Sequence, residues 1–484
     1  MDEAGPEAEV ARPPAARRRR RWWPLALLVL VLVTFLPYFA ILRRGVYLFI
    51  VWLPAATSYY TLRPGPVVSA FKHSGPVFIK LAQWASTRRD VIPKEICDGM
   101  AQLHENVPAT MSKKDVRKAC QMIPGLEVQE TNFMGGGCVA QVYGAKYNGT
   151  DVVVKLRRAG IKEQLDVDLR LLTALASLVT WWKPDLKWMG LVEAIENFET
   201  YMRQQVDLSI EAEHMRRFDL NFRRNRHVLI PPVYASTDAV LVMGKAEGIS
   251  LSHYVNNTKD DPKLHDQRDR VHHLLVDMMA QMGLKDNFMH GDLHPGNLFI
   301  KIDKGDEPTV TLIDVGIAIA MPSSLTKMII DALRPIFRKD AEGLGKAIVD
   351  FHKKEGFAES GIDFNGLATD LGNLLICGCW MVGPELYLKV FKSAEDYNGT
   401  QVSAYFSRML SLLTEHKVRI SADLWSLMTA VALIEGSILE LGFGINVMEA
   451  VQSYVFSRFD VMARVRSRRT LAESDENSRK AGRK

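Results

Sequence analysis

Four polar clusters in a fixed order constrain this chain more than any other feature. They are Gly135-Gly136-Gly137 with Ala140 three residues on, Lys155, the pair Asp292 and Asn297 five residues apart, and Asp314 seventeen residues beyond Asn297. The glycines precede VAQVYGAKY, then Asn148-Gly149, then DVVVKL, which reads as two strands joined by a two-residue turn. Glycine lets a backbone approach an anion closely, and successive N–H groups then cradle it. Lys155 ends the returning apolar strand beneath that loop. Asp292 and Asn297 belong to His290-Gly291-Asp292-Leu293-His294-Pro295-Gly296-Asn297, and Asp314 to Leu312-Ile313-Asp314-Val315-Gly316. Carboxylate and amide oxygens on neighbouring loops suit a hard, octahedral Mg²⁺. Taken singly, the loop is also an ordinary hairpin and Lys155 an edge-strand lysine. Coincidence does not supply all four in order.

The set resembles the working parts of a protein kinase. Gly135, Gly136, Gly137 and Ala140 stand where a glycine-rich loop covers phosphates, with alanine in the third glycine slot. Lys155 stands where a strand lysine holds the α- and β-phosphates, and is counted among both the catalytic and the nucleotide-binding residues. Asp292 matches the catalytic-loop aspartate that accepts a hydroxyl proton. Asn297 and Asp314 match the two metal-holding positions. The resemblance implies an α+β, bilobal, protein-kinase-like fold with ATP and Mg²⁺ as cofactors. His290 and His294 form an H-x-D-x-H pattern, but oxygen ligands and the upstream lysine favour Mg·ATP over zinc.

A narrower resemblance rests on HGDLHPGN together with Phe78-Ile79-Lys80-Leu81-Ala82-Gln83 and Asp207-x-x-x-Glu211-Ala212. These are similar to the UbiB-like (aarF-domain-containing) atypical kinases, from about residue 70 to at least 320. The resemblance implies a membrane-associated kinase-like protein supporting coenzyme Q or related lipid metabolism, in mitochondria, plastids or bacteria. It makes Lys80 and Gln83 the ends of a K-x-G-Q motif, on a regulatory helix folded over the active site. It makes Glu211 the partner of Lys155, and it places Met243 at the adenine hinge. Three departures stand out. Ala82 replaces the motif's glycine, Gln205 takes the first place of an E-x-D element, and the phosphate loop is glycine-rich where many relatives carry alanine. The expected consequences are a missing charged partner for Lys80, weaker autoinhibition and an altered ATP/ADP preference.

Organisation follows from charge and hydropathy. After Arg17–Arg21, residues 22–42 run twenty-one positions without a charge and close at Arg43–Arg44. At about 1.5 Å per residue that run crosses a roughly 30 Å hydrocarbon layer. A retained single-span anchor is therefore expected, preceded by a basic arm over 1–21. A helical extension follows over 46–130, the kinase-like core over 131–345, a C-terminal helical region over 346–463, and a basic, flexible tail over 464–484. That tail holds eight bases and three acids, which accounts for the whole net charge of +5. The body is close to neutral, and nucleic acid is not an expected partner. Five cysteines without a CxxC pair imply neither a disulfide scaffold nor a zinc ribbon.

After Gly316 the chain reads IAIAMPSSL, with no A-P-E element and no long Ser/Thr/Tyr-bearing segment. A peptide platform is lacking, so the expected acceptor is small or lipid-like rather than a protein. The leading expectation is a membrane-anchored, single-pass, mitochondrial (or plastid) kinase or ATPase of quinone or lipid metabolism. Its partners would be nucleotide, a membrane lipid or quinone intermediate, and biosynthetic enzymes. Two alternatives stay open: a nucleotide-binding pseudokinase scaffold, and a small-molecule phosphotransferase sharing the H-G-D-x-H-x-x-N block.

Overall fold

The computed structural model describes residues 40–56, 63–85, 93–101, 103, 111–184, 191–258, 261–302, 307–321, 323–354 and 363–380, and most of 408–416. The chain divides into two compact units, Met1–Ile50 and Val51–Lys484. Of the first unit, residues 40–50 are described, and they are helical; they open helix α1, over 40–56. No helix among the described residues is long and apolar enough to cross a membrane. The expected span over 22–42 lies outside them save for residues 40–42, as do the basic arm, the basic tail and most of 346–463.

The second unit opens with α2 (Pro64–Ser74), α3 (Pro76–Ala85), α4 (Lys94–Ala101) and α5 (Lys113–Cys120). Ser112 caps α5, its side chain accepting from the Asp115 backbone N–H at 3.1 Å. A five-stranded antiparallel sheet follows, in the order β1-β2-β3-β6-β5. Its strands are β1 (Leu126–Gly136), β2 (Ala140–Tyr147), β3 (Thr150–Arg157), β5 (Val233–Ser236) and β6 (Val240–Met243). Between β2 and β3, Asn148 (φ 49°) and Gly149 (φ 82°) make the expected two-residue turn. Both central residues take the left-handed conformation that a type I′ turn demands.

Alternation along β3 decides what the sheet does. Val152, Val154 and Leu156 pack with Val116, Cys120, Ile123 and Tyr143 on one face. Val153 joins the large core on the other face, with Leu208, Ala212 and Met215. Period-two geometry therefore turns Lys155 toward that second face, away from the α5 side. Leu156 and Val154 expose no surface, and such burial contributes about 1.5–3 kcal/mol apiece.

Helices α6 (Ile161–Trp182), α7 (Leu191–Val206) and α8 (Leu208–Phe222) join β3 to β5 by way of the two-residue β4 (Val228–Leu229). The remaining lobe is mostly helical: α9 (Leu251–Thr258), α10 (His265–Ala280), α11 (Ser323–Arg338), α12 (Ala341–Lys354) and α13 (Phe364–Trp380). It also holds a four-stranded sheet, β4-β10-β9-β7, and a two-stranded one, β11-β8. Here β7 is Ile249–Ser250, β8 Phe288–His290, β9 Leu298–Ile302, β10 Pro308–Leu312 and β11 Ala318–Ala320. The architecture is the mixed α+β, kinase-like one expected.

Two boundaries need correction. Strand begins at Leu126, not after residue 130, because Leu126, Glu127 and Val128 already pair with Tyr147, Lys146 and Ala145 of β2. The core boundary at 345 falls inside α12, whose Leu344, Ile348 and Val349 are buried in the same cluster as β8 and β9.

Candidate active site

Lys155 is not an edge residue. It pairs with Val142 on β2 and Leu241 on β6, so β3 is the middle of the sheet. Its ammonium donates to Glu211 at 2.9 Å and to Asp314 Oδ1 at 2.7 Å. Asp207 is the N-cap of α8, accepting from Ser209 N at 3.0 Å, and Glu211 follows one turn later. The cap thus sets the helix start that aims Glu211 at β3. Burial opposes the charge on Lys155, but Asp314 and Glu211 outweigh it and raise the ammonium above the usual lysine range. Burial pushes the Glu211 carboxyl up to about 7, against the pull of Lys155. Asp314 is also penalised by burial, yet Lys155 holds it below the ordinary carboxylate range.

Asp314 follows β10 in a left-handed conformation, φ 53°, which Asp tolerates better than most residues. Gly316 sits among three side chains. A Cβ there would lie 3.4 Å from Gln205 Cγ, 3.5 Å from Asp314 Oδ1 and 3.7 Å from Glu211 Oε2. Gln205 therefore lines the Lys155–Glu211–Asp314 cluster, and its Oε1 is buried without a hydrogen-bond partner.

The catalytic-loop motif is held by its own backbone. Asn297 Nδ2 donates to the Asp292 carbonyl at 2.9 Å, and the Asp292 backbone N–H donates to His290 Nδ1 at 3.0 Å. His290 exposes no surface, and burial lowers its pKa to about 4. It is thus a neutral acceptor bracing the loop, and no group of three or more metal-ligating side chains occurs among the described residues. Gly291 is required by close packing, since a Cβ would meet Ile317 Cγ2 at 2.6 Å where β8 and β11 pair.

Lys80 departs from expectation. Gln205 offers it no charge, but its ammonium forms a buried ion pair with Asp292 instead. Lys80 is 3% exposed and Asp292 8%. Burial penalises the Asp292 carboxylate, yet Lys80, with His294 beyond it, holds the group well below the ordinary carboxylate range. The charged partner absent at position 205 is thus supplied from elsewhere, since α3 brings Lys80 to Asp292 directly. Gln83 points elsewhere, donating to the Leu103 carbonyl at 3.1 Å. Nothing in the sequence around Asp292 signals this pairing.

The glycine loop and Met243 lie on the same sheet as Lys155. Gly135 through Gly137 close β1 and turn into β2, with Gly137 N donating to the Ala140 carbonyl at 2.9 Å. A Cβ on Gly135 would meet nothing within 4 Å, and none of the three glycines has positive φ. The fold itself does not need glycine there, so the open space fits a phosphate-cradling loop. Met243 ends β6, buried, paired with Val153. Two carboxylates, an amide and an orphaned amide oxygen suit Mg²⁺ held partly by phosphate oxygens, since that ion is seldom caged by protein alone.

Residues 107–348 match the ABC1 atypical kinase-like domain. This chain belongs to that family. A mitochondrial ABC1 family protein of Schizosaccharomyces pombe is 25% identical over 488 residues, spanning 83% of this chain and 68% of its own length. A mitochondrial ABC1 family protein of Saccharomyces cerevisiae is 25% identical over 79% of this chain and 66% of its own. The probable protein kinase UbiB of Tolumonas auensis is 29% identical over 60% of this chain and 53% of its own. The chain thus spans from about half to just over two thirds of the length of these curated relatives. In this ABC1 domain the match covers Lys155, Glu211, Asp292, Asn297 and Asp314 but stops short of α3 and Lys80.

Proposed function

We propose that this ABC1-family chain is a Mg·ATP-dependent atypical kinase or ATPase, anchored to a membrane by residues 22–42 and serving quinone or related lipid metabolism. The observation that carries the nucleotide reading is Lys155 held by both Glu211 and Asp314 at under 3 Å. Lys155 would hold the α- and β-phosphates, with Glu211 keeping it in place. Asn297 and Asp314 would hold Mg²⁺, which would neutralise developing phosphate charge. Met243 would border the adenine. Asp292 accepts the proton of a hydroxyl or water. For that its carboxylate has to leave Lys80, so the structure described is a self-blocked state.

The missing peptide platform after Gly316 favours a small or lipid-like acceptor, and the two fungal relatives named mitochondrial favour that organelle. The Lys80–Asp292 pair also favours a second reading, a nucleotide-binding scaffold for biosynthetic enzymes in which Asp292 is never freed. Melting of the full chain in detergent tests the first claim. Mg·ATP should raise the midpoint, and Lys155→Ala or Asp314→Asn should abolish the rise; an undiminished rise in both variants removes the nucleotide site. Asp292→Asn separates the two readings, since quinone content in cells falls for an enzyme and holds for a scaffold.

A further inference from the structure

Helix α8 has two unlike faces. Leu208, Glu211, Met215, Phe218 and Phe222 are buried on one. Arg216, Leu220 and Arg223 lie on the other, at i, i+4 and i+7, and all three are exposed, Leu220 to 61%. Arg224 and Arg226, also exposed, carry the patch past the helix end. From Arg216 to Arg226 the chain reads RRFDLNFRRNR, five arginines against one aspartate.

Four of these arginines meet nothing. Arg217 lies 3.9 Å over the Phe288 ring. Among the described residues, Arg216, Arg223, Arg224 and Arg226 make no hydrogen bond, ion pair or ring contact. Asp219 stands one turn from both Arg216 and Arg223, where helical ion pairs form, yet pairs with neither. Exposed cations elsewhere are met: Arg203 by Glu199 and Asp166, Lys162 by Asp238, and Lys301 by Glu247. The helix dipole accounts for little of the cluster. It favours cations in the last turn alone, which covers the C-cap Arg223 but neither Arg216, two turns earlier, nor Arg226, beyond the end.

Three features select an acidic protein segment as the missing counterpart. First, bases of a nucleic acid would find no platform, because Phe218 and Phe222, the aromatic residues of the run, are buried. Second, the charge is all arginine, with no lysine from Met215 to His227. Arginine is enriched and lysine depleted where proteins meet, and its planar fork takes a carboxylate by two bonds at once. Third, the presentation is fixed. Asn225 N donates to the Phe222 carbonyl at 2.7 Å and His227 N to Asn225 Oδ1 at 2.9 Å, which pins the turn after the helix. Fixed spacing is of use against a partner of fixed spacing, and mobile lipid headgroups have none. At about 1.5 Å per residue, Arg216 and Arg223 are about 10 Å apart along the axis, with Leu220 between them. A helix bearing glutamate, leucine and glutamate at the same intervals mirrors that stripe.

We propose that the outer face of α8, Arg216, Leu220 and Arg223 with Arg224 and Arg226, is a docking surface for an acidic amphipathic helix of a partner protein. The inference goes beyond the nucleotide reading and does not depend on it.

Fluorescence anisotropy of the full chain in detergent tests this with a labelled helical peptide that has glutamate at every seventh position and leucine four after each. Binding is expected, weakening as salt rises. A scrambled peptide of the same composition should bind about tenfold more weakly. Arg216→Glu with Arg223→Glu should lose the ordered peptide by about tenfold and gain its counterpart with lysine for glutamate, at an unchanged melting midpoint. If that variant melts lower, Arg224→Glu with Arg226→Glu, outside the helix, should show the same loss. Equal binding of ordered and scrambled peptides would overturn the proposal in favour of unspecific charge attraction. So would no binding, or undiminished binding by both charge-reversed variants. Tighter binding of phosphatidylcholine–phosphatidylglycerol vesicles or of a DNA duplex than of the ordered peptide would overturn it in favour of lipid or nucleic acid.

Discussion

Two buried lysines meet aspartates in this molecule, and they differ in where their partners come from. Lys155 sits mid-sheet with two carboxylates, Glu211 and Asp314. Lys80 sits on a helix of the N-terminal extension, and the ion pair that buries it is with Asp292, 212 residues away. Lys155 can surrender Asp314 and stay paired through Glu211, so it is built to exchange a partner. Among the described residues no second carboxylate pairs with Lys80, so freeing Asp292 requires α3 to move or Lys80 to find another anion. On the proposed reading, the first lysine would belong to the chemistry and the second would guard it.

The strongest way to break that contrast is Lys155→Met. Loss of the phosphate anchor and of the charge facing Glu211 should cut ATP turnover by about a hundredfold or more and remove the Mg·ATP melting shift. Turnover close to wild type would make the two lysines equivalent bystanders.

Next comes Lys80→Met, with the opposite sign on activity. Removing one partner of a buried pair costs about 3 kcal/mol of stability, while ATP turnover should rise. Adding Asp292→Asn should recover most of the stability and abolish the turnover, a cycle read by denaturant unfolding and phosphate release. A fall in turnover for Lys80→Met alone would recast Lys80 as part of the catalytic machinery.

A pH experiment probes the brace beneath Asp292. Folded His290 stays neutral down to about 4, whereas the unfolded chain takes up that proton near 6.5. Between these values the unfolded state binds more protons, so stability falls as pH drops from 6.5 to 4, by up to about 3 kcal/mol. His290→Gln should flatten that window in a urea series, and an unaltered slope would show that the histidine is not the titrating brace.

The smallest effect serves as a control. Gly149 takes φ 82° in open space, so Gly149→Ala should cost about 1 kcal/mol of stability through backbone strain alone. Both lysine phenotypes should persist in it; a change in nucleotide affinity would mean that the hairpin tip communicates with the cleft.

Much of this was legible in the residues. Alternation in DVVVKL and the Asn148-Gly149 turn pointed to the hairpin, and the spacing of Asp292, Asn297 and Asp314 pointed to two adjacent loops. Glu211 came from family resemblance, because fifty-six residues and two helices separate it from Lys155 and no periodicity links them. In the sequence Gln205 stands out for the charge it lacks, yet its place beside Gly316 depends on how α7 ends against α8. The strand over Leu126–Glu130 is not legible in the sequence, since its alternation is short and polar.

Local chemistry, then, specifies which groups can bind a phosphate and which stretches turn, because those properties act over a few bonds or one period of strand or helix. Whether Lys80 is left free or closes over Asp292 is a property of distant surfaces brought together. It arises from packing among segments far apart in the chain, where the burial of one charge is tolerable only because another arrives to meet it.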